Sequence, residues 1–405
     1  MTKGFIPAFG SAPEKVGRAP PAFDRQPFRA AVQEIEALDV RVSAQPSVDA
    51  RPYAIVGGRS NSRWWLLPLG SGRVLAASLA LFQPTLRSAR WSKQAATALA
   101  RCGLGSLWAR SGVYISGVPV IARHFGAGDA EFAYFTGTDG PHRKLTVQVM
   151  GRNGAILGYA KVGSGDAAAV LLQREAQILR QAEGWELLAT RIPRVLYEGR
   201  ADCARLLVTD TSKTAASRSS SRFSLRHLRF VQEMMCVAGS AGGRLRRPYS
   251  VLIREQTGAL QAYLAPLWKR RLEAAALLIV SHEGWLPPPG YAHGDFTPWN
   301  CFEAGEQLYV FDWEHATQQW PSMHDAIYFV LSSPHLRRRS PAAKIAAAAR
   351  TLTEYFNVGG DIRAHLVLYL AAQALSWTER FSVSAPCGVW DDEHLGSMFD
   401  ALLGV

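Results

Sequence analysis

Cysteine is scarce in this 405-residue chain. The five present (Cys102, Cys203, Cys236, Cys301, Cys387) are odd in number and never stand in C-x-x-C spacing. That excludes a disulfide framework and a cysteine-built zinc site and fits a reducing, cytoplasmic setting. Long hydrophobic runs are missing too. No span reaches the roughly 18 apolar residues of a membrane helix, and the richest, Leu66 to Phe82, is broken by Pro68, Arg73 and two glycines. The first residues offer Lys3 but no apolar run behind it, only a Pro/Ala/Arg-rich stretch through Pro27, so no secretory signal is expected. There is no G-x-S-x-G elbow and no H-E-x-x-H, and His282, His293, His315 and His324 lack metal-ligand spacing, which removes serine-hydrolase and zincin chemistry.

What is present is ordinary globular composition, 48% hydrophobic and 19% charged, enough for one large core or two to three smaller ones. The net charge of +12 admits nucleic acid, anionic lipid or an anionic substrate as partner. The arginine clusters, Arg244, Arg246 and Arg247, then Arg337, Arg338 and Arg339, have no interleaved aromatics and no accompanying nucleic-acid motif. They read as solvated loops and helix ends, and a nucleic-acid partner is not expected.

Along the chain, residues 1–50 read as a poorly ordered arm with one short helical pattern, Phe28 to Leu38. Residues 51–128 read as a small α/β extension, with strand-like Tyr53–Val56 and Trp64–Leu67 and helical spacing over Trp91–Cys102. Trp64 and Trp65 are expected in its core. From 129 to 210 the pattern is an antiparallel meander. Strands are expected over Glu131–Thr136, Lys144–Met150 and Ala155–Val162, then a helix over Asp166–Glu183, then strands Ile192–Glu198 and Arg205–Thr209: five strands and one inserted helix. Residues 211–224 are Ser/Arg/Thr-rich, a linker. Residues 225–405 are mostly helical.

One stretch concentrates chemistry: Tyr291 to His315, YAHGDFTPWNCFEAGEQLYVFDWEH. It holds His-Gly-Asp, an Asn five residues after that Asp, and Asp-Trp-Glu twelve residues after the Asn. Moving a γ-phosphoryl group needs a carboxylate to orient the acceptor hydroxyl and oxygen ligands for Mg²⁺. Asp295 suits the first task, Asn300 with Asp312 the second. Together, HGDFTPWN and the later VFDWE resemble the catalytic-loop and metal-binding signatures of the aminoglycoside phosphotransferase and choline kinase superfamily, relatives of protein kinases. The resemblance covers roughly residues 130 to 380. It implies an α+β, bilobal fold, an antiparallel-sheet lobe with one helix plus a larger helical lobe, here with an N-terminal extension.

Residue by residue, the resemblance implies Asp295 as catalytic carboxylate, His293 as a brace of its loop, and Asn300 and Asp312 as Mg²⁺ ligands beside the β- and γ-phosphates of ATP. Glu314 would bind a metal-held water or the acceptor, or be a surface carboxylate. Lys161 in GYAKV resembles the lysine that contacts α- and β-phosphates, and Glu175 the helix glutamate that aims it, with Glu183 and Glu186 lying beyond the helix centre. The loop TGTDGPHR lacks G-x-G-x-x-G, so the cradle would rest on backbone N–H groups of Gly137, Thr138 and Gly140, with Arg143 adding charge. Thr209 and Asp210 would take the adenine edge. Asp325 would brace the catalytic loop or simply cap a helix. The activity implied is transfer of the γ-phosphoryl group to a small-molecule hydroxyl acceptor such as a sugar, amino alcohol or aminoglycoside. The acceptor would meet Trp377, Glu379, Trp390, Asp391 and Asp392, an acidic rim that suits a cation, whereas the +12 balance favours an anionic or sugar-like one. Two alternatives remain: a pseudokinase-like module that binds nucleotide without turnover, and a nucleic-acid-binding protein that uses the basic charge; the N-terminal extension is a candidate to dock the enzyme to a protein or a membrane surface.

Overall fold

The computed structural model describes residues 28–58, 62–84, 87–240, 247–385 and 387–404. The arm before Phe28 and two of the flagged arginines, Arg244 and Arg246, lie outside these. The fold class is α+β, and the described residues form two compact units: 28–184 together with 192–218, and 185–191 together with those from 219 on.

In the first unit the elements run α1 (Phe28–Glu36), β1 (Arg41–Ser43), β2 (Arg51–Gly58), β3 (Arg63–Pro68), α2 (Gly72–Ser78), α3 (Arg87–Arg101), β4 (Ser111–Ser116), β5 (Glu131–Phe135), β6 (Leu145–Met150), β7 (Ile156–Gly163) and α4 (Asp166–Ala182). After β8 (Thr190–Arg191), which belongs to the second unit, come β9 (Val195–Ala201) and β10 (Ala204–Asp210). Among the described residues nine strands form one antiparallel sheet, in the order β1-β4-β2-β3-β5-β6-β7-β10-β9.

This corrects two expectations. The sheet has nine strands rather than five, because β3 pairs with β5 through Trp65 opposite Phe135 and Leu66 opposite Tyr134. The 51–128 block is therefore a continuation of the sheet, closing an edge of β5 that would otherwise expose unpaired N–H and C=O groups. Residues 28–50 are likewise no loose arm. Phe28, Ala31, Val32 and Ile35 fall at helical i, i+3, i+4, i+7 spacing and are all buried, in the same core as Tyr53, Trp64, Phe132, Val147 and Leu206. Trp64 is core as expected and meets Phe28 edge to face at 5.1 Å. The opposite sheet face is covered by α2 through Val74, Leu75 and Ala77 against Ala133 and Met150.

The second unit holds α5 (Leu225–Ser240), α6 (Tyr249–Ala259), α7 (Pro266–Val280), β11 (Cys301–Ala304), β12 (Gln307–Val310), α8 (His324–Ser332), α9 (Pro341–Phe356), α10 (Ile362–Ser384) and α11 (Glu393–Leu403). Strand β12 pairs antiparallel with β11 and parallel with β8. Helix ends follow local chemistry: Ser340 caps α9, Asp361 caps α10 and Asp392 caps α11 by accepting backbone N–H bonds. Helix α10 is buried almost all round from Ala364 to Leu375. The buried Arg271 of α7 reaches Asp400 of α11 bidentately at 2.8 and 2.6 Å, and Gly396 is required there because a Cβ would lie 2.5 Å from the guanidinium. Among the described residues no helix is long and apolar enough to cross a membrane.

Two buried histidines contribute stability to the helical unit that acid removes. Burial pushes His227 down to about 4, with Arg226 adding to it, and His324 down to about 3, with His365 adding to it. In the unfolded chain both titrate near 6.5. As pH falls below that, the unfolded chain binds protons that the folded one refuses. The stabilisation is therefore full above pH 6.5 and lost progressively toward 4, by up to roughly 1.4 kcal/mol per pH unit per histidine. Over the same range the raised carboxyls of Asp295 and Asp325 work the other way, so the histidine contribution is read as a difference between variants. In urea titrations from about pH 7 to about pH 5, the midpoint of His227→Phe, placed among Phe223, Phe296 and Phe329, should rise relative to wild type as pH falls, and a pH-independent difference would contradict the assignment.

Candidate active site

The Tyr291–His315 stretch folds as a loop, the β11–β12 hairpin, and a second loop. The first loop is anchored by a bridge between Ala292 and Thr317 and by Asp325, in the first turn of α8. Asp325 accepts the backbone N–H of His293 at 2.6 Å and of Gly294 at 3.0 Å. Burial pushes its carboxyl up to about 7 despite those two donors. Gly294 has φ +74, and a Cβ there would lie 2.3 Å from the His315 carbonyl oxygen, so no other residue fits. His293, fully buried, accepts at Nδ1 from Asp295 N–H (3.3 Å) and donates from Nε2 to the Phe311 carbonyl (3.0 Å), which fixes a neutral tautomer. It ties the two loops together.

Asn300 donates from Nδ2 to both the carbonyl and the Oδ2 of Asp295, at 2.9 and 2.8 Å. Both amide hydrogens are thereby used, and the carboxamide oxygen is the atom left for a ligand. Burial, then the neighbouring charge of Asp312, pushes the Asp295 carboxyl up to about 7, opposed by Arg380, a hydrogen bond from Tyr328 and Asn300. Asp312 has φ +73, a left-handed conformation that Asp tolerates better than most residues. Glu314 is buried, with Oε1 3.3 Å from His315 Nε2. Asn300, Asp312 and Glu314 supply hard oxygen donors, which fits Mg²⁺.

In the sheet unit Lys161 on β7 meets Glu175 on α4, its Nζ donating to both carboxylate oxygens at 2.7 and 2.6 Å. Gly137 has φ +73 and Gly140 φ +144 in the β5–β6 loop, where Thr138 and Gly140 are exposed. A Cβ on Gly137 would lie 2.3 Å from the Lys144 carbonyl oxygen. Thr209 and Asp210 end β10, and Asp210 accepts from Arg194 N and Nε at 2.6 and 3.0 Å.

Several residues are used otherwise than expected. Arg143 is held by Glu34 of α1 at 3.1 Å with its side chain nearly buried, so its charge is neutralised locally. Trp390 packs on Trp268, whose Nε1 donates to Asp391 Oδ1 at 2.9 Å, and Asp392 caps α11. Trp390 is thus part of the helical core, while Asp391, exposed, and Asp392, half-buried, each have a structural partner. Tyr328 and Arg380 were not singled out. Tyr328 stands three residues after Asp325, one helical step along the same face, and Arg380 three after Trp377, on which it stacks at 4.7 Å. Helical spacing from residues already marked could have found both.

No known family's sequence pattern matches the chain, and no curated protein matches it. In fold it is similar to solved small-molecule kinases. A putative fructosamine-3-kinase from Thermobifida fusca is 17% identical, with 71% of this chain and all of that one covered and a TM-score of 0.47. A thermostable mutant of an aminoglycoside phosphotransferase, in ternary complex with ADP and hygromycin B, is 13% identical over 70% of this chain and 96% of that one, TM-score 0.44. The GDP complex of wild-type aminoglycoside 2'-phosphotransferase-IIIa is 16% identical over 70% and 95%, TM-score 0.44.

The anchor on which the Asp295 loop hangs can be tested directly. Asp325→Ala leaves two buried N–H groups without an acceptor and should destabilise the helical unit by roughly 2–5 kcal/mol. Guanidinium titration reads the change, and a midpoint like wild type would show that the loop is held by something else.

Proposed function

We propose that the chain is a Mg-ATP-dependent phosphotransferase that moves the γ-phosphoryl group to a hydroxyl of a small molecule. The observation that carries this reading is the coupling of Asp295 to Asn300, with Asp312 close enough to raise the Asp295 carboxyl. Three oxygen-bearing side chains thus stand in one loop pair. Asp295 would orient the acceptor hydroxyl and take its proton as the new O–P bond forms. The bond from the γ-phosphorus to the β–γ bridging oxygen breaks, and ADP leaves. His293 keeps the loop in register. Asn300 and Asp312 would hold Mg²⁺, and Glu314 a water on it or the acceptor. The metal, when bound, neutralises the triphosphate charge. Lys161, aimed by Glu175, would take the α- and β-phosphates, backbone groups of Gly137, Thr138 and Gly140 the outer phosphates, and Thr209 with Asp210 the adenine edge.

Transfer from γ-labelled ATP to a panel of sugars, amino alcohols and aminoglycosides tests the reading. Asp295→Ala should lose on the order of 10²–10⁴ in rate while keeping a thermal shift with Mg-ATP, and Asp312→Ala should lose both. Turnover surviving in Asp295→Ala would remove the proposed base. A Mg-ATP shift without transfer to any acceptor would favour a module that binds nucleotide without turnover.

A further inference from the structure

The positive charge of the chain is unevenly placed. Residues 185–191 and 219–405 hold 18 Lys and Arg against 18 Asp and Glu, so the whole net charge of +12 lies in the remainder. Within that remainder, residues 50–128 hold ten Lys and Arg and no acidic residue at all. Helix α3 exposes much of its length, from Trp91 to Arg101. It packs on α2 and on the turn Gly105–Leu107, neither of which contains a carboxylate.

The outer surface of α3 and the turn after it pairs this charge with exposed apolar groups. Trp91 is 73% exposed, Leu107 71% and Leu104 47%. Trp91 shares a helical stripe with Ala95, Ala98 and Cys102, at i+4, i+7 and i+11. Arg90, Arg101 and Arg110 are exposed on the same segment. The inner side of α3 is anchored: Ala100 is fully buried beside Leu75 and Ala109, and Lys93 donates to the Phe82 carbonyl at 2.6 Å. Trp91 therefore stands on a fixed platform.

We propose that α3 and the 102–110 turn form a docking surface for an anionic lipid bilayer. Trp91, Leu104 and Leu107 enter the headgroup boundary, and Arg90, Arg101 and Arg110 face the phosphates. Charge of one sign uninterrupted by carboxylates supplies the long-range attraction, and an amphipathic Trp with two leucines supplies the insertion that distinguishes a lipid interface from a purely electrostatic contact. Nucleic acid would use the arginines but leave the leucines in water.

The test is co-sedimentation of the full chain with vesicles of phosphatidylcholine, with and without phosphatidylglycerol, alongside duplex DNA as a competing polyanion. Binding is expected only to the phosphatidylglycerol vesicles and to weaken with salt. Replacing Arg90 and Arg101 by Gln should lower the partition coefficient about five-fold for each charge. Trp91→Ala with Leu107→Ala should lower it on the order of ten-fold or more, with circular dichroism and thermal midpoint as in wild type. Absence of sedimentation with phosphatidylglycerol vesicles would overturn the proposal. So would binding indifferent to the Trp91/Leu107 pair, or DNA displacing the vesicles, which would mark the surface as a nucleic-acid site. None of these residues belongs to the candidate active site, so the outcome is independent of the phosphotransferase reading.

Discussion

The loop that carries Asp295 depends on one buried carboxylate accepting two successive backbone N–H bonds. Asp325 is almost wholly out of water, and burial alone would keep it protonated. The two N–H groups, and its place in the first turn of α8, where the helix dipole is positive, work the other way. The balance holds His293 and Gly294 at fixed positions, and the remaining contacts follow in sequence. His293 reaches the Phe311 carbonyl, Phe311 N–H returns to the Asn300 carbonyl at 3.0 Å, and Asn300 closes on Asp295. The result is a ring of hydrogen bonds in which each member positions the next. A ring of this kind holds the Asp295 carboxylate in place more firmly than any single bond does.

Asp312 shows the cost of that arrangement. A left-handed residue other than glycine is uncommon and costs on the order of 1–3 kcal/mol, yet here a glycine would lack the carboxylate. Trp313 offsets part of this by burying its whole side chain and donating from Nε1 to the Val310 carbonyl at 3.0 Å, which locks the strand end from which Asp312 departs. The Asp-Trp pairing is thus one mechanical unit. The tryptophan packs so that the aspartate can be strained.

The loop pair was legible because its residue types and spacing are dictated by local geometry. Asp295, Asn300 and Asp312 lie within one short stretch, and their mutual placement needs little from elsewhere. Lys161 and Glu175 were legible for a similar reason, a strand followed directly by a helix. The sheet size was not, since whether β3 pairs with β5 depends on register between segments more than 60 residues apart, and alternating hydrophobicity looks the same in a five-stranded sheet or a nine-stranded one. Arg143, Trp390, Asp391 and Asp392 have structural partners that the sequence did not reveal, for a common cause. Their partners, Glu34, Trp268 and the first turn of α11, are visible only once the chain is folded, and a charged or aromatic side chain with a structural partner looks in sequence like one awaiting a ligand.

Net charge misleads here in a specific way. The balance of +12 was taken to favour an anionic or sugar-like acceptor, but the unit that carries Asp295 is neutral as a whole, and the excess belongs to the segment that extends the sheet. A field at the acceptor site must come from groups close to it, because beyond about 10 Å salt screens surface charges. The groups that count are Arg380, which opposes the raised Asp295 carboxyl, and Asp312 and Glu314, whose charge a bound metal would neutralise.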